Sequence, residues 1–516
     1  MTLPRLILTG ASGFVGRHLL EEICDDWIVS GIARRSQARC GARTHPNLTW
    51  YQVDIGDRDA LAGVFGKIRE QGGADVVLHL AAHYDFTGED HPEYFRTNVE
   101  GLRNTLDLSA RAGVKQFFFS SSVAACELPP SGRALDETSP PDGRHIYAQT
   151  KRMGETMVGQ YKDRFTPVIV RFAAMFSDWC EYPPLYMFLE TWLSKAWNRH
   201  ILGGKGASAI PYLHVSDAVA LLTRLLERRR DWTPSEILIA SPDGATSHRQ
   251  LFDATMSHEA PGPVMPFLIP KPLCGPGMLA RDLAGRLAGA RPFERPWMAA
   301  YIDTVMAIDA SKTRARIGWA PRPRLEVIRR LPFLLENRSM YPLDWHRLNR
   351  AAMKEVRVPR NLRLYQLLER HHEELVEEYT KALHGARFPS YQRVSEDDQE
   401  WNHRVILRQL MNAVRTEDRH VLASYCRDLA ERRYRQGFGE GELSGALEAL
   451  NGVCATVLAR DPESDGLRHE ILDNITTPLK WGVDRVQETY ETLGAASARR
   501  ARASAGTGDA GSASGR

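Results

Sequence analysis

The hydrophobic positions of the N-terminal third follow two alternating patterns. Short apolar runs of strand length are separated by stretches in which apolar residues recur every three or four positions, as in helices. The strand-like runs lie at 6–8, 27–33, 49–55, 75–83 and 114–122, and the helical stretches at 15–23, 60–68 and 94–113. This alternation predicts an α/β fold with a doubly wound parallel sheet, which binds ligands outside the carboxyl ends of its strands.

The pattern changes near residue 345, where strand-like runs give way to helical periodicity. One apolar stripe with helical spacing consists of Leu364, Leu368, His371, Leu375, Tyr379 and Leu383. Further helices are predicted at about 400–415, 417–436, 440–460 and 466–493. We therefore predict a first domain at 1–345 and an all-α helical bundle at 346–493. Residues 494–516 are rich in Gly, Ala, Ser and Arg without apolar periodicity, which predicts a disordered tail.

Composition excludes several classes of protein. A net charge of +3 over 516 residues argues against a dedicated nucleic-acid surface. The seven cysteines are scattered and never form a Cys-x-x-Cys pair, which favours a reducing cytoplasm over a disulfide framework or zinc site. No apolar run has the length of a transmembrane segment. His371 and His372 precede two glutamates, but without His-Glu-x-x-His spacing they indicate a solvated helix rather than a metal site.

A glycine-rich turn follows the first strand and opens the first helix. Gly10, Gly13 and Gly16 have the spacing that lets a backbone approach a pyrophosphate at a helix N-terminus. The segment therefore predicts a dinucleotide site, with candidate binding residues Gly10, Ser12, Gly13, Phe14, Val15 and Gly16. Arg34, with Arg35 beside it, ends the second strand where NAD-binding domains usually carry an acid, so NADP is favoured over NAD.

The stretch HIYAQTKRMGE places Tyr147 four residues before Lys151. Positions i and i+4 share one face of a helix, so the ammonium should lie beside the phenol. A neighbouring cation lowers the pKa of a phenol and would prepare Tyr147 for proton transfer near neutral pH.

Motifs in a consistent order along residues 3–340 resemble the extended short-chain dehydrogenase/reductase family, the NAD(P)-dependent epimerase, dehydratase and reductase group. They are TGASGFVG at 9–16, HLAA at 79–82, TNVEGLRN at 97–104, FFFSSSVA at 117–124, YAQTK at 147–151, PYLHVSDAVALL at 211–222 and IDASKTRARIGWAPR at 308–322. The resemblance implies a Rossmann-type fold with a substrate lobe, mainly 175–215 and 240–305. It also implies catalytic roles for Ser122, Tyr147 and Lys151, with Asn98 bracing the site. Cofactor contacts are implied for Tyr147, Lys151, Asp54, Ile55, Leu80, Ala81 and Ala82.

Two departures from the family narrow the expected reaction. Val123 and Ala124 replace the acidic residues that sugar 4,6-dehydratases carry beside the serine position, and residues 209–211 lack the arginine that often holds a nucleotide diphosphate. Aromatic residues crowd the lobe instead, at Trp179, Tyr182, Tyr186, Phe188, Trp192 and Trp197, although most such residues serve as packing.

The sequence therefore predicts an NAD(P)-dependent oxidoreductase acting on the hydroxyl or carbonyl group of a small, largely apolar substrate. Two alternatives remain: a sugar-type epimerase that retains its cofactor, and an NADP(H)-sensing regulator that signals through the helical bundle. In each case the bundle is a candidate for homo-oligomer formation or for binding a protein partner.

Overall fold

The computed structural model describes residues 3–130, 132–259, 262–289, 291–352 and 360–508. The chain divides into two compact units, Met1–Val356 and Arg357–Arg516. The strands all lie in the first unit: β1 Arg5–Thr9, β2 Ile28–Ala33, β3 Leu48–Gln52, β4 Val76–His79, β5 Gln116–Ser122, β6 Thr166–Phe172, β7 Ala174–Phe176, β8 Ile201–Gly203, β9 Ala209–Ile210, β10 Tyr212–His214, β11 Glu236–Ala240, β12 Thr246–Ser247 and β13 Phe267–Ile269.

The helices of the first unit are α1 Phe14–Ile23, α2 Gln37–Cys40, α3 Arg58–Glu70, α4 Pro92–Phe95, α5 Leu102–Arg111, α6 Ile146–Gly159, α7 Pro183–Trp192, α8 Val215–Glu227, α9 His248–Glu259, α10 Lys271–Leu287, α11 Ser311–Ile317, α12 Val327–Met340 and α13 Pro342–Ala352. Those of the second are α14 Arg360–Arg370, α15 His372–Leu383, α16 Glu396–Thr416, α17 Arg419–Arg435, α18 Glu440–Leu458, α19 Arg468–Ile471 and α20 Thr477–Gly508. No helix among the described residues is both long and apolar enough to cross a membrane.

A parallel sheet of seven strands in the order β11-β6-β5-β4-β1-β2-β3 forms the centre of the first unit. Side chains of β1 alternate between its two faces, because successive strand residues point in opposite directions. Leu6 and Leu8 join the core beneath α1 and α8, while Ile7 joins the core beneath α3 and α5. Helices therefore cover both faces of the sheet, as the alternating pattern predicted, and the doubly wound fold is confirmed.

The segment predicted as one helix at 94–113 is three pieces. A π-helix, Arg96–Gly101, lies between α4 and α5. It differs from the prediction because local periodicity reports amphipathic spacing and not the extra residue of a π turn. Such turns are frequent at functional sites.

The first unit extends beyond the predicted boundary at residue 345. In α13, Trp345 is fully buried in the core of the substrate lobe, and Tyr186 Oη lies 2.5 Å from Nδ1 of His346. The amide of Asn349 accepts a hydrogen bond from the backbone of Glu181 at 2.8 Å. These contacts make α13 part of the lobe, because its apolar and polar partners both lie there. Apolar residues of α12, which lies outside the predicted lobe segments, also belong to the lobe core.

The second unit is entirely helical over its described residues and has its own apolar core. The predicted stripe is buried except at His371, which lies between α14 and α15 and pairs with Asp461 and Glu374 at 3.0 Å each. Helix α20 continues to Gly508, whereas the sequence predicted a disordered tail from residue 494; the remainder of that prediction, 509–516, lies outside the described residues.

Candidate active site

The glycine turn between β1 and α1 forms a cradle in which side chains do not fit. Gly10 has φ of +73°, and a Cβ there would lie 2.7 Å from the backbone nitrogen of Ala81. A Cβ on Gly16 would lie 2.9 Å from the carbonyl oxygen of Ala11. Gly13 occupies the N-cap of α1 and supplies no capping side chain. The turn therefore exposes backbone N–H groups at a helix N-terminus, the donor set that suits a pyrophosphate.

Of the other residues predicted in this turn, Val15 packs its side chain into the core. The ring of Phe14 lies against His18, with centroids 5.2 Å apart. Leu80 and Ala81 follow β4 directly beside the turn, where their backbone nitrogens lie 3.2 and 3.4 Å from the carbonyl and hydroxyl oxygens of Thr9. The carboxyl ends of β1 and β4 therefore meet at the cradle, and Ala82 continues the same segment.

The two arginines after β2 have different partners. Arg34 is half exposed and pairs with Glu93 at 2.8 Å. Arg35 reaches the glycine turn, where its Nε lies 3.3 Å from the hydroxyl of Ser12 and its Nη2 also donates to the Ser12 carbonyl. The sequence prediction singled out Arg34, but it is Arg35 that contacts the cradle.

Asp54 and Ile55 lie just beyond β3. Asp54 accepts a hydrogen bond from the backbone of Gly56 at 2.8 Å and pairs with Arg96 at 2.9 Å. Ile55 is buried in the core against Gly101. Asp54 therefore remains partly exposed as a candidate for the adenosine end of a dinucleotide, whereas the side chain of Ile55 serves packing.

Helix α6 brings Tyr147 and Lys151 together as the i, i+4 spacing predicted. The Lys151 Nζ atom lies 5.6 Å from the centre of the Tyr147 ring. It donates a hydrogen bond of 2.6 Å to the carbonyl of Ser120, near the end of β5. Ser122 ends that strand, where its hydroxyl oxygen accepts a hydrogen bond of 3.1 Å from the Ala124 backbone, and it lies close enough to Tyr147 to lower the pKa of the phenol. The three predicted catalytic side chains thus converge at the carboxyl edge of the sheet.

Burial dominates the titration of this cluster. It raises the pKa of the Tyr147 phenol well above its ordinary value, and the neighbouring Ser122 hydroxyl opposes the rise only partly. Burial also lowers the pKa of Lys151 to about 8, against the opposing charge of Glu155. The predicted lowering of the Tyr147 pKa is therefore wrong for the protein alone. The reason is that sequence spacing reports proximity but not desolvation.

A buried ion pair supports the cluster from below. Glu155, one turn after Lys151 on α6, accepts hydrogen bonds of 2.9 and 2.8 Å from the guanidinium of Arg171 on β6. The Ser121 hydroxyl donates to the same carboxylate at 2.6 Å. Both charged side chains are nearly inaccessible to solvent. The ion pair holds α6 against the sheet and so fixes the position of Tyr147 at the carboxyl ends of the strands.

Asn98, in the π-helix, joins three segments of the site. Its amide nitrogen donates to the His83 carbonyl at 3.0 Å and to the Thr150 hydroxyl at 3.1 Å. Its amide oxygen accepts from the His83 backbone at 2.6 Å. Asn98 is buried and so joins α6 to the segment after β4; its role in bracing the active site stays a prediction.

Aromatic side chains line the open side of Tyr147. The Tyr84 ring stacks on it with centroids 4.2 Å apart, and Phe86 lies 4.3 Å from Tyr84 and 5.7 Å from Tyr182. On the other side His145 stacks between Tyr147 and Trp297, at 6.2 and 6.4 Å. The sequence prediction missed Tyr84, Phe86 and Trp297. The first two follow the HLAA motif closely and could have been found from that position, whereas Trp297 carries no local signal.

Most of the lobe aromatics highlighted by the sequence are packing residues. Tyr186 and Trp192 are buried in the lobe core, with Trp179, Tyr182 and Phe188 partly exposed. Trp197 is different, because it is 82% exposed.

The helical unit has a concave site of its own, about 500 Å³ in volume. It is lined by Tyr365, Glu369, His372, Glu373, Arg404, Arg408, Met411, Asn412 and Arg415. Glu373 already pairs with Arg404 at 2.7 Å. Within the described ranges, no group of three His, Cys, Asp or Glu side chains is arranged to hold a metal ion.

Comparison with known proteins identifies the class of the first unit. Residues 6–240 match the NAD dependent epimerase/dehydratase family. The first unit is therefore similar to that family over these residues, and the resemblance seen in the sequence is confirmed.

Individual relatives are similar over limited lengths. The UDP-glucose 4-epimerase of Streptococcus mutans is 29% identical over 31% of this chain and 47% of its own length. The 3 beta-hydroxysteroid dehydrogenase/Delta 5-->4-isomerase of Mycobacterium tuberculosis is 31% identical over 30% of this chain and 42% of its own. These matches span less than half the length of each relative. The Bordetella bronchiseptica enzyme WbmG, solved in complex with NAD, shares the fold with a TM-score of 0.50 and 19% identity, over 66% of this chain and 95% of its own.

Proposed function

We propose that the first unit is an NAD(P)-dependent oxidoreductase that interconverts a hydroxyl and a carbonyl group on a largely apolar substrate. The observation that carries the proposal is the convergence of Ser122, Tyr147 and Lys151 at the strand ends that also form the glycine cradle. Proton transfer by a positioned phenol and cofactor binding at the cradle are the two requirements of this reaction.

The residues present fit a dinucleotide. Gly10, Gly13 and Gly16 place no side chain at three positions of the turn, and the start of α1 offers backbone donors to the pyrophosphate. Asp54 is available to the adenosine end, and Lys151 to the ribose beside the nicotinamide. The nicotinamide, when bound, supplies the hydride chemistry.

Tyr147 then moves the proton that accompanies hydride transfer, and Ser122 donates a hydrogen bond to the substrate oxygen. Lys151 has a pKa of about 8, so it is mainly cationic at neutral pH and favours the phenolate form as Tyr147 gives up its proton. Asn98 and the Glu155–Arg171 pair position these groups and do not themselves react.

The apolar character of the substrate is supported by the aromatic residues around Tyr147. Tyr84 stacks on the reactive phenol, Phe86 and Tyr182 extend the aromatic surface from Tyr84, and Trp297 extends it from His145. Such a wall favours an aliphatic ring system or aromatic skeleton over a polyhydroxylated sugar, because sugars require many hydrogen-bonding groups. The steroid dehydrogenase relative is consistent with this class of substrate.

The Tyr147→Phe variant tests the proposal. Removing the phenol oxygen should lower turnover of an apolar ketone with NAD(P)H by roughly 10²- to 10⁴-fold, while leaving cofactor binding unchanged. Single-turnover kinetics and cofactor fluorescence measure the two quantities separately. Full activity in this variant would refute the assigned role of Tyr147.

A second candidate is an epimerase that retains its cofactor, and the similarity to UDP-glucose 4-epimerase favours it. An epimerase oxidises and then re-reduces one carbon, so purified protein should retain NAD(P) and show no net consumption of added NAD(P)H. Stoichiometric oxidation of NAD(P)H by a ketone substrate would exclude this alternative.

We further propose that Arg35, rather than Arg34, confers a preference for NADP. Arg35 contacts the glycine turn, whereas Glu93 holds Arg34, and guanidinium groups bind phosphate as paired donors. Arg35→Ala should weaken NADP binding by about ten- to a hundredfold with little effect on NAD. Arg34→Ala is the matched control; a larger effect of that variant would reverse the assignment.

A further inference from the structure

Helix α10 in the substrate lobe buries a charged side chain and exposes its leucines. Its buried residues include Asp282, 1% exposed at the side chain, which is held by Arg286 and Arg291 at 3.0 and 2.8 Å. Its large apolar side chains point to solvent instead. A helix on the surface of a water-exposed domain normally shows the opposite arrangement.

The exposed leucines of α10 share one face. Leu279, Leu283 and Leu287 follow one another at i, i+4 and i+8 and are 49%, 52% and 92% exposed. Leu273, 60% exposed, lies within the same half of the helix circumference, given 100° per residue. These four side chains share one half of the helix surface, and we call them the α10 stripe.

A second group of exposed apolar residues, which we call the Trp197 cluster, lies on chain segments next to the start of α10. Phe267, in the strand immediately before it, is 68% exposed, Met265 is 72% exposed and Trp197 is 82% exposed. The two chain segments are joined, because the Phe267 backbone donates to the His200 carbonyl at 2.7 Å. Monomeric proteins rarely expose apolar surface of this extent without a partner.

The charges around this surface are mainly cationic, with Glu294 and Glu89 paired to Arg281 and Arg291 at its edge. Residues 193–203 contain no acidic residue, and Lys195 and Arg199 flank Trp197. Residues 262–289 contain one acid, the buried Asp282, with Lys271, Arg281 and Arg286 as the cations. The Arg281 guanidinium also lies 3.6 Å from the carboxylate of Glu294, which follows this segment in the chain. Exposed leucines and a tryptophan bordered by cations match the interface of a bilayer that carries anionic headgroups.

We propose that the α10 stripe and the Trp197 cluster dock the substrate lobe onto an anionic lipid surface. The lobe would lie on the bilayer without crossing it, with the leucines among the acyl chains near the headgroups and the cations at the phosphates. A second copy of this chain fits less well, because two identical cationic surfaces would repel one another.

The docking surface connects to the candidate active site. Helix α10 packs against the short helix Pro296–Tyr301, whose Trp297 donates a hydrogen bond to the Thr87 carbonyl at 2.9 Å. Trp297 stacks on His145, which stacks on Tyr147. An apolar substrate dissolved in the bilayer could therefore reach Tyr147 along this aromatic side, a corollary that rests on the proposed oxidoreductase function.

Vesicle co-sedimentation of the full chain tests the docking. The protein should bind phosphatidylcholine vesicles containing phosphatidylglycerol at least about tenfold more tightly than vesicles of phosphatidylcholine alone. Combined Leu279→Ser, Leu283→Ser and Leu287→Ser substitutions should reduce that binding by at least about tenfold. These side chains are exposed, so cofactor binding should persist and report an intact fold.

Trp197→Ser is a second variant on a separate element and should also weaken vesicle binding. Trp401→Ser, at a 67% exposed tryptophan of the helical unit, is the matched control and should not. Absence of vesicle binding, equal binding by the leucine variant, or a dimer that the leucine substitutions dissociate would each overturn the proposal. Tyr147→Phe should bind vesicles like the unaltered protein, so failure of docking and failure of the proposed reaction are distinguishable.

Discussion

The first unit contains a buried group of charged side chains, whereas the helical unit offers a comparable ion pair at its surface. Beneath Tyr147 in the first unit, Lys151, Glu155 and Arg171 are all nearly excluded from water. In the helical unit, the ion pair between Glu373 and Arg404 lies at the surface, with 74% and 32% of the side chains exposed. Placing a charge in the interior costs several kcal/mol unless it is well paired, whereas surface pairs cost and contribute little. Buried charge in the first unit therefore indicates a requirement other than stability.

We propose that this requirement is the position and protonation of Tyr147. Glu155 raises the pKa of Lys151 against the effect of burial, while Arg171 compensates the charge of Glu155. The Lys151 ammonium is thus favoured by Glu155, and the charges of Glu155 and Arg171 need each other. We expect substitutions in this buried group to have large effects and substitutions in the surface pair to have small ones.

Glu155→Gln should have the largest effect on stability. It leaves the Arg171 guanidinium buried without a counter-charge, and breaking a buried pair in this way costs about 3–5 kcal/mol. Guanidinium denaturation of the full chain, followed by the fluorescence of the first unit, measures the loss. A loss of unfolding free energy below about 1 kcal/mol would show that the Glu155–Arg171 pair does not hold α6 against the sheet.

Lys151→Met should stabilise the protein at neutral pH while abolishing activity. Burial lowers the pKa of Lys151 from 10.5 to about 8, which corresponds to a cost of roughly 3 kcal/mol when the amine is protonated. Losing the hydrogen bond to Ser120 offsets about 1 kcal/mol, so a net gain of roughly 2 kcal/mol is expected.

The sign of the pH dependence follows from proton binding. Between pH 8 and 10.5 the unfolded chain retains a proton on Lys151 that the folded protein has lost, so the stability of the unaltered protein rises with pH there. The advantage of Lys151→Met should be constant below pH 8 and disappear as the pH approaches 10.5. Parallel denaturation at neutral and alkaline pH checks this; an advantage that grows with pH would contradict the burial of the amine.

The parts of the site that the sequence predicted are those set by local backbone or helical spacing. Gly10 and Gly16 are needed because a Cβ would collide with the adjacent backbone, and this requirement is visible in the glycine spacing. Tyr147 and Lys151 are neighbours because they share a helical face. The raised pKa of Tyr147 was not predictable, because it depends on residues distant in sequence that exclude water.

Long-range convergence accounts for the remaining differences. Trp297 reaches the site of Tyr147 from 150 residues further along the chain, and Trp345 completes the lobe core from outside the predicted lobe segments. The buried face of α10 also could not be predicted from the sequence. Helical periodicity would place its leucines toward the core, whereas the structure exposes them.

Glu373→Gln, in the helical unit, should have the smallest effect. The carboxylate accepts hydrogen bonds of 2.8 and 2.7 Å from Arg404, and these bonds hold its pKa down to about 2. Water nevertheless solvates both partners in either state, so the glutamine variant should keep the denaturation midpoint of the unaltered protein. Measured beside Glu155→Gln, which removes the same charge by the same substitution, it isolates burial as the variable. Equal losses of stability in the two variants would mean that burial does not distinguish the ion pairs of the two units, and the inference from buried charge to the position of Tyr147 would fail with it.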